Sequence, residues 1–326
     1  MNISNYDWLE KTYNKINFEK LPHGIIINGP DGIGKEILAT HIAQKLLLNK
    51  ITNNYDKGLV DSNTHPDLFI LNKDKILLKH VTYRKTIKKE DWDKQLGDRN
   101  INQFLSVTPS VAVNKVVIIL NAQNMNLASQ NAILKSLEEP APNSFIVFTI
   151  NRPMSLLKTV YSRCQIISIP SLDEASKDQW LTRNGISDYN SSHFPSFISP
   201  LKILEEIQDN QHLNFIDFIK IISDFIENKI DCNFAIKKIS NLNIDLITKT
   251  NYLVEFLKII LKSRILPEEL SGLYKKFNDS KFNNLKISNI LNDLNNLRSD
   301  YFKVPQINET HVLNYFLSEL KSSIKI

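Results

Sequence analysis

A glycine-rich segment, residues 29–36, is the first part of the chain whose residue types and spacing could do chemistry. It reads Gly-Pro-Asp-Gly-Ile-Gly-Lys-Glu. Glycines let backbone N–H groups turn inward around phosphate oxygens, and a lysine placed after them can reach the terminal phosphates of a nucleotide. The candidate cofactor-binding residues of this degenerate phosphate loop are therefore Gly29, Gly32, Gly34 and Lys35.

Two positions that would handle magnesium in such a site carry unsuitable side chains. The residue after the lysine is normally Ser or Thr, whose hydroxyl ligates Mg²⁺, but here it is Glu36. A second apolar run ends at Asn121 and Ala122, where an acidic residue would be needed. The pattern predicts no ATP hydrolysis by this chain. Two interpretations of the loop stay open: it binds nucleotide without cleaving it, or it is a glycine-rich turn with no ligand.

Positioning these residues requires a sheet, and the first half of the chain supplies short apolar runs for one. Each run is rich in Ile, Val, Leu or Phe and is bounded by turn residues. The runs predicted as strands are Gly24–Asn28, Leu68–Leu71, Val116–Leu120, Phe145–Thr149 and Gln165–Ile169. Helical patterns separate these runs. Two such patterns cover residues 35–49 and residues 126–139, and Pro140 ends the second one. Continuous apolar strands separated by helices predict an α/β fold with a parallel sheet covered on both faces.

After Pro170 the pattern becomes helical, with almost no strand signal. Residues 215–219 and 252–257 fit amphipathic helices, and the Asn-rich tract 278–297 keeps a helical stripe of Leu and Ile. We interpret that tract as a helix of biased composition rather than as disorder. Three domains are therefore predicted: an α/β domain with the phosphate loop over residues 1–170, a small helical domain over 171–210, and an all-helical domain over 211–326.

The bulk composition favours a multidomain protein of the cytoplasm. The chain has 326 residues, and none of its apolar runs approaches the roughly 20 residues of a membrane helix. Residues 1–7 lack the basic and apolar regions of a signal peptide. The chain has two cysteines, Cys164 and Cys232, so we expect neither a disulfide framework nor a four-cysteine zinc site.

The charged residues predict no dedicated nucleic-acid surface. The net charge is +5, but the lysines are spread along the chain with acidic residues among them. We interpret residues 113–115, Val-Asn-Lys, and Lys158 as solvated positions. The histidines of the first half lack ligand spacing, and we expect no metal site.

Two further segments show a resemblance to a known family. Residues 131–140, NAILKSLEEP, resemble the NALLKTLEEP helix of bacterial clamp-loader subunits, and residues 159–165, TVYSRCQ, resemble their TIRSRCQ segment. The turn at His65-Pro66-Asp67 is similar to the HPD turn of delta-prime subunits. The order of these segments after the phosphate loop fits the AAA+ clamp-loader family of DNA polymerase III. The resemblance covers residues 1 to 170, and the helices that follow share only their general helical character with the family. It implies an AAA+ P-loop-like domain over residues 1–170, a lid domain over residues 171–210 and a collar domain for oligomerisation over residues 211–326.

The resemblance implies a role in a ring. Clamp loaders are pentameric rings that open a sliding clamp and place it on primed DNA, with ATP at the subunit interfaces. The arginine of Ser-Arg-Cys reaches across to the neighbour's γ-phosphate, and in this chain that residue is Arg163. A guanidinium suits the role because it stays charged and forks onto phosphate oxygens. Taken alone, the same residue would be a surface arginine at the end of a helical turn.

The resemblance also implies partners and excludes some cofactors. The expected partners are motor (gamma/tau) and delta subunits in a heteropentamer and, through the complex, the clamp and primer-template DNA, with no membrane contact. Many relatives carry a four-cysteine zinc module between the first helix and the second strand, but residues 47–65 contain no cysteine. The lid of active relatives carries a sensor arginine, and the nearest match here, residues 199–202, Ser-Pro-Leu-Lys, lacks one. No zinc and no required cofactor are expected.

Three functions are compatible with parts of this sequence. The first is a subunit without catalysis of its own, serving a multisubunit DNA-directed DNA polymerase, and it accounts for every motif above. The second is an ATP-hydrolysing gamma/tau-type motor, against which Glu36, Asn121 and Ala122 argue. The third is a P-loop kinase of a small nucleotide, which shares the glycine-rich turn but explains neither the LEEP segment nor the Ser-Arg-Cys segment.

Overall fold

The computed structural model describes residues 3–48, 58–60, 62–82, 93, 96, 99–266, 269–301 and 307–324. The chain divides into two compact units, Met1–Leu172 and Asp173–Ile326. None of the helices in these described stretches is both long and apolar enough to cross a membrane.

The first unit is built on a five-stranded parallel sheet. Its strands are β1 Gly24–Asn28, β2 Leu68–Asn72, β3 Lys115–Leu120, β4 Ser144–Ile150 and β5 Cys164–Ser168. Their order across the sheet is β2-β3-β4-β1-β5, so β1 lies between β4 and β5 although it comes first in the chain. The predicted strands and the predicted α/β fold class, a parallel sheet followed by helices, are confirmed.

Helices cover both faces of this sheet. The helices described in this unit are α1 Asp7–Tyr13, α2 Lys35–Leu47, α3 Leu78–Val81, α4 Ile101–Ser106, α5 Leu127–Glu138 and α6 Lys158–Tyr161. Side chains alternate between the faces of a strand, so the three buried isoleucines of β1, residues 25–27, serve both layers. Ile26 lies in one cluster with Ile133 and Leu137 of α5, while α2 packs against β1, β3 and β4. The predicted helix from Lys35 ends at Leu47; the last predicted position, Asn49, lies outside the described residues.

A buried carboxylate organises the amino end of the sheet. Asp67, fully buried just before β2, accepts hydrogen bonds from the backbone N–H groups of Ser110, Val111 and Ala112 at 2.7, 2.8 and 2.8 Å. Together these bonds hold the loop that leads into β3.

The prediction of a solvated Lys115 is wrong. Its side chain is buried; its Nζ donates to the Phe104 carbonyl at 3.1 Å and lies 4.3 Å from the centre of the Phe104 ring. Asn114 is held as well, because its Nδ2 donates to the Leu46 carbonyl at 2.7 Å. Tertiary partners that are distant in sequence therefore remove these polar groups from water.

The described residues of the second unit form helices joined by loops, with one isolated antiparallel bridge between Phe282 and Ile324. Its helices are α7 Glu174–Arg183, α8 Pro200–Gln208, α9 His212–Ile226, α10 Cys232–Ser240, α11 Leu246–Ile265, α12 Asn284–Asp300 and α13 Glu309–Ser323. The helix predicted from Asn278 begins six residues later, because Asn283 is its N-cap and accepts from the N–H groups of Leu285 and Lys286. One apolar cluster spans α9 to α13. The division of this unit into a lid and a collar stays a prediction.

Candidate functional site

The glycine-rich loop lies at the carboxyl end of β1 and leads directly into α2. Gly32 (φ 69°) and Gly34 (φ 96°) occupy the left-handed region, which side chains with a Cβ rarely adopt. Lys35 is buried, and its Nζ donates to the carbonyl oxygens of Gly29 and of the following residue at 2.9 and 2.7 Å. The four residues predicted as phosphate ligands therefore share one turn, and their binding role stays a prediction.

Helix α1 holds the loop from outside, which the sequence analysis missed. Trp8 Nε1 donates to the Ile33 carbonyl at 2.8 Å. Leu9 is fully buried, and a Cβ added to Gly34 would lie 2.7 Å from its Cδ1. The signal that could have found this contact is the adjacent apolar pair Trp8-Leu9 in a short amphipathic segment near the start of the chain. Helix α1 therefore contacts the loop at both Ile33 and Gly34.

The electrostatics of the loop disfavour phosphate. Burial lowers the pKa of Lys35, while the nearby carboxylates of Asp31 and Glu36 act in the opposite direction. These two exposed carboxylates and one buried ammonium leave the segment with a net charge of −1. Glu36 also lies in the first turn of α2, so its carboxylate already complements the positive potential that a phosphate would otherwise use.

Asn121, at the end of β3, completes the comparison with a magnesium site. Its backbone is left-handed (φ 50°, ψ 50°), which asparagine tolerates better than most residues. Its N–H donates to Thr149 Oγ1 at 3.0 Å, and its Oδ1 accepts from Gln123 Nε2 at 3.3 Å. The side chain at this position is thus a hydrogen-bonded amide rather than a carboxylate.

The residues present do not fit a bound magnesium nucleotide. Glu36 supplies no hydroxyl, and Asn121 and Ala122 supply no carboxylate. No cluster of three or more His, Cys, Asp or Glu side chains suited to a metal ion occurs among the described residues. Residues 49–57 and 61, which belong to the cysteine-free stretch where relatives carry a zinc module, lie outside the described part.

Arg163 lies at the opposite end of the sheet from the loop. Cys164, the next residue, pairs with Gly24 at the start of β1, whereas Ser168 pairs with Asn28 at its end. Gly29, the first residue of the loop, lies six positions beyond the level of Arg163, and parallel strands rise about 3.3 Å per residue, so the Arg163 backbone is separated from the loop by roughly 20 Å along the strands. The structure therefore does not bring Arg163 together with the other predicted site residues.

Intramolecular contacts hold the Arg163 guanidinium. Nη2 forms an ion pair with Glu138 Oε1 at 2.7 Å, at the end of α5. Nη1 donates to the Thr159 carbonyl at 2.9 Å and to Ser162 Oγ at 3.2 Å. The Arg163 side chain remains 34% exposed, so it is held but accessible. Sequence reasoning selected the segment that contains Glu138 but assigned this residue no contact.

The other residues of these motifs have structural roles. A Cβ added to Gly24 would meet Cys164 Sγ at 2.7 Å and Leu137 Cδ2 at 2.9 Å, so these groups pack around the glycine. Burial raises the pKa of the Cys164 thiol to about 12, which leaves it un-ionised at neutral pH. His65 Nδ1 accepts from the backbone N–H of Asp67 at 3.1 Å.

The stretch aligned with the sensor arginine lies in the second unit. Pro200 is the first residue of α8, a position where its missing N–H costs no hydrogen bond. Lys202 Nζ forms an exposed ion pair with Glu205 Oε2 at 2.8 Å. The stretch therefore begins a helix, and its one cation is partnered within that helix.

The family model described as "DNA polymerase III, delta subunit" matches residues 5–173. The chain is similar to DNA polymerase III subunit delta' of Pseudomonas aeruginosa, with 30% identity over 55% of this chain and 52% of the relative. The same subunit of Haemophilus influenzae is 29% identical over 54% and 52%, and that of Buchnera aphidicola subsp. Baizongia pistaciae is 27% identical over 68% of each chain. The chain thus spans about half the length of the first two curated relatives.

Solved structures with low sequence identity are also similar to this chain over most of its length. A gamma subunit-related protein of DNA polymerase III from Thermotoga maritima has 14% identity and a TM-score of 0.47, covering 97% of this chain and 99% of that one. The RuvB Holliday junction branch migration motor of Thermotoga maritima has 14% identity and a TM-score of 0.33, covering 84% and 78%.

Proposed function

Because the chain belongs to the family described as DNA polymerase III, delta subunit, we propose that it is a delta-prime-type subunit of a clamp loader. In this proposal it stands in a heteropentameric ring with motor (gamma/tau) and delta subunits. The ring places a sliding clamp on primer-template DNA during chromosome replication in the cytoplasm. The chain has no catalysis of its own and serves a DNA-directed DNA polymerase holoenzyme.

The observation that carries the proposal is the position of Arg163. Its guanidinium is accessible at one end of the sheet, while the glycine-rich loop lies at the other end. An arginine so far from its own loop cannot serve that loop, but it can reach a nucleotide held by a neighbouring subunit. In related NTPases such an arginine, when supplied in trans, stabilises the charge on the transferred phosphoryl group.

The chain's own loop supports a non-hydrolysing role. Glu36 supplies no hydroxyl and Asn121 supplies no carboxylate for a magnesium ion, and the loop carries a net negative charge. Lys35 already has two carbonyl acceptors, and α1 packs against the turn, so the loop needs no nucleotide to keep its shape. We therefore propose that the fold requires no cofactor.

The experiment is a single-turnover ATPase assay on the reconstituted complex. Arg163→Ala should leave assembly intact and slow hydrolysis at the adjoining site by a factor on the order of 10³. Arg163→Lys should recover little of that rate, because an ammonium cannot fork onto phosphate oxygens. Hydrolysis at the wild-type rate in an assembled Arg163→Ala complex would refute the trans-arginine role.

A motor of the gamma/tau type is the second candidate, because the outline of the phosphate loop is retained around Lys35. The isolated chain distinguishes the two. Under the leading proposal it hydrolyses no ATP, and Lys35→Ala leaves the ATPase of the complex unchanged. Hydrolysis by the isolated chain that disappears in Lys35→Ala would establish the motor instead. The nucleotide-kinase hypothesis does not account for the family match over residues 5–173.

A further inference from the structure

We infer that Glu138 is a positioning residue for Arg163: its carboxylate selects the guanidinium orientation that the neighbouring ATP site receives. This inference rests on the proposed function, since it concerns how the trans arginine is presented. Glu138 pairs with Arg163 and is therefore too far from this chain's own glycine-rich loop, at the other end of the sheet, to contact a nucleotide there. It would therefore act through Arg163 and not on the reacting atoms.

The contacts of Arg163 define one orientation of its side chain. Glu138 Oε1 accepts from Nη2, while the Thr159 carbonyl and Ser162 Oγ accept from Nη1. The acceptors thus engage both terminal nitrogens of the planar group, and two of them lie within four residues of Arg163 itself. Only Glu138 comes from a distant part of the chain. Removing its carboxylate leaves the plane anchored through Nη1 alone.

The packing beneath the ion pair sets the distance between the two side chains. Leu137, the residue before Glu138, is buried, and its Cδ2 lies beside the same Gly24 position as Cys164 Sγ. Because that position has no Cβ, the end of α5 and the start of β5 approach β1 closely. Glu138 follows Leu137 and Arg163 precedes Cys164, so these two side chains meet at the surface next to this contact.

The geometry leaves donors for a phosphate. A guanidinium carries five N–H donors, and the three contacts of Arg163 do not use all of them. The ion pair is half-exposed, and exposed pairs contribute little to stability. Its effect is therefore orientational: an arginine held in one rotamer loses less conformational entropy when it meets a phosphate than a free one does.

The test uses three variants in the single-turnover assay. Glu138→Ala should slow hydrolysis at the adjoining site roughly threefold to tenfold, with the ATP concentration for half-saturation unchanged, because orientation acts on the rate. Glu138→Gln should recover most of the rate, since an amide oxygen still accepts from Nη2. Glu139→Ala, at the next exposed position, is the matched control and should behave as wild type.

A double-mutant cycle decides whether Glu138 acts through Arg163. In an Arg163→Ala background, Glu138→Ala should have no further effect. A further loss in that background, or a faster rate in Glu138→Ala alone, would overturn the inference; the faster rate would mean that the carboxylate competes with phosphate. If Arg163→Ala itself has no effect, the proposed function fails before Glu138 is tested.

A readout on the isolated chain keeps the two failures apart. In ¹⁵N NMR of the arginine side chains, Arg163 Nε–Hε should show restricted motion in the wild type and in Glu139→Ala, and increased motion in Glu138→Ala. Equal motion in all three would refute the positioning role, whatever the assembled complex does. The matched Glu138→Gln sample should remain restricted.

Discussion

Asp67→Asn should destabilise the first unit by about 2–4 kcal/mol, although it changes one oxygen to nitrogen. The Asp67 carboxylate is fully buried; one oxygen accepts from the N–H of Ser110, and the other accepts from those of Val111 and Ala112. An asparagine has one oxygen, so its NH₂ group must face at least one of these N–H donors. A hydrogen bond to a charged group contributes about 1.5–3 kcal/mol, and a buried unsatisfied donor costs about 1–3 kcal/mol.

The effect should also depend on pH. Burial alone would raise the pKa of Asp67, but the three backbone N–H donors and the Lys115 ammonium more than offset it, so the pKa lies below its ordinary value. The folded state therefore binds this proton less readily than the unfolded chain does. Its stabilisation is fully present above the unfolded pKa of about 3.9 and is lost as the pH falls through the folded pKa.

The assay is urea unfolding followed by circular dichroism at pH 7, 5 and 3.5. Asp74→Asn is the matched control because Asp74 is an exposed aspartate just past the other end of β2, and it should stay within about 0.5 kcal/mol of the wild type. The gap between wild type and Asp67→Asn should be equal at pH 7 and 5 and smaller at pH 3.5. A gap below 0.5 kcal/mol at pH 7, or one that grows in acid, would refute the reasoning.

Two further outcomes follow from the packing. In chemical denaturation, Gly34→Ala should destabilise the chain by about 2–3 kcal/mol, because it forces an alanine with a left-handed backbone against Leu9. Gly185 is also left-handed, but a Cβ added there would have no atom within 4 Å, so Gly185→Ala should cost only about 1 kcal/mol. Equal losses would mean that the contact with Leu9 is unimportant. Thiol labelling at pH 8 should modify Cys232 faster than Cys164, because burial raises the pKa of both thiols but raises that of Cys164 further, to about 12. Labelling of Cys164 as fast as Cys232 in the native protein would contradict this.

The sheet and the loop were predictable because their signals are local. A strand such as Gly24–Asn28 is an apolar run bounded by turn residues, and helix α2 begins directly after the last glycine of the loop that follows this strand. The left-handed backbone at Gly32 and Gly34 is the conformation that glycine permits at low cost. Patterns of this kind depend on residues within about ten positions of one another, so one sequence contains them in full.

The partners of Asp67, Lys115 and Arg163 were not predictable in the same way. Asp67 meets loop donors more than 40 residues away, and Lys115 is buried against a ring that precedes it by 11 positions. Glu138 and Arg163 meet only because α5 and β5 both pack beside β1. No local pattern distinguishes these charged residues from solvated ones, since the tertiary fold supplies their partners.

The place of β1 in the sheet has a consequence for biosynthesis. Its two neighbours are β4 and β5, whose first partners, Ile146 and Cys164, follow Gly24 by about 120 and 140 residues. At a translation rate of roughly 5–20 residues per second, the nascent chain presents an unpaired run of three isoleucines for roughly 6 to 24 s before β4 exists. The strand that carries the glycine-rich loop is thus the earliest made and among the latest paired, which makes it the segment most exposed to chaperones and to aggregation during synthesis.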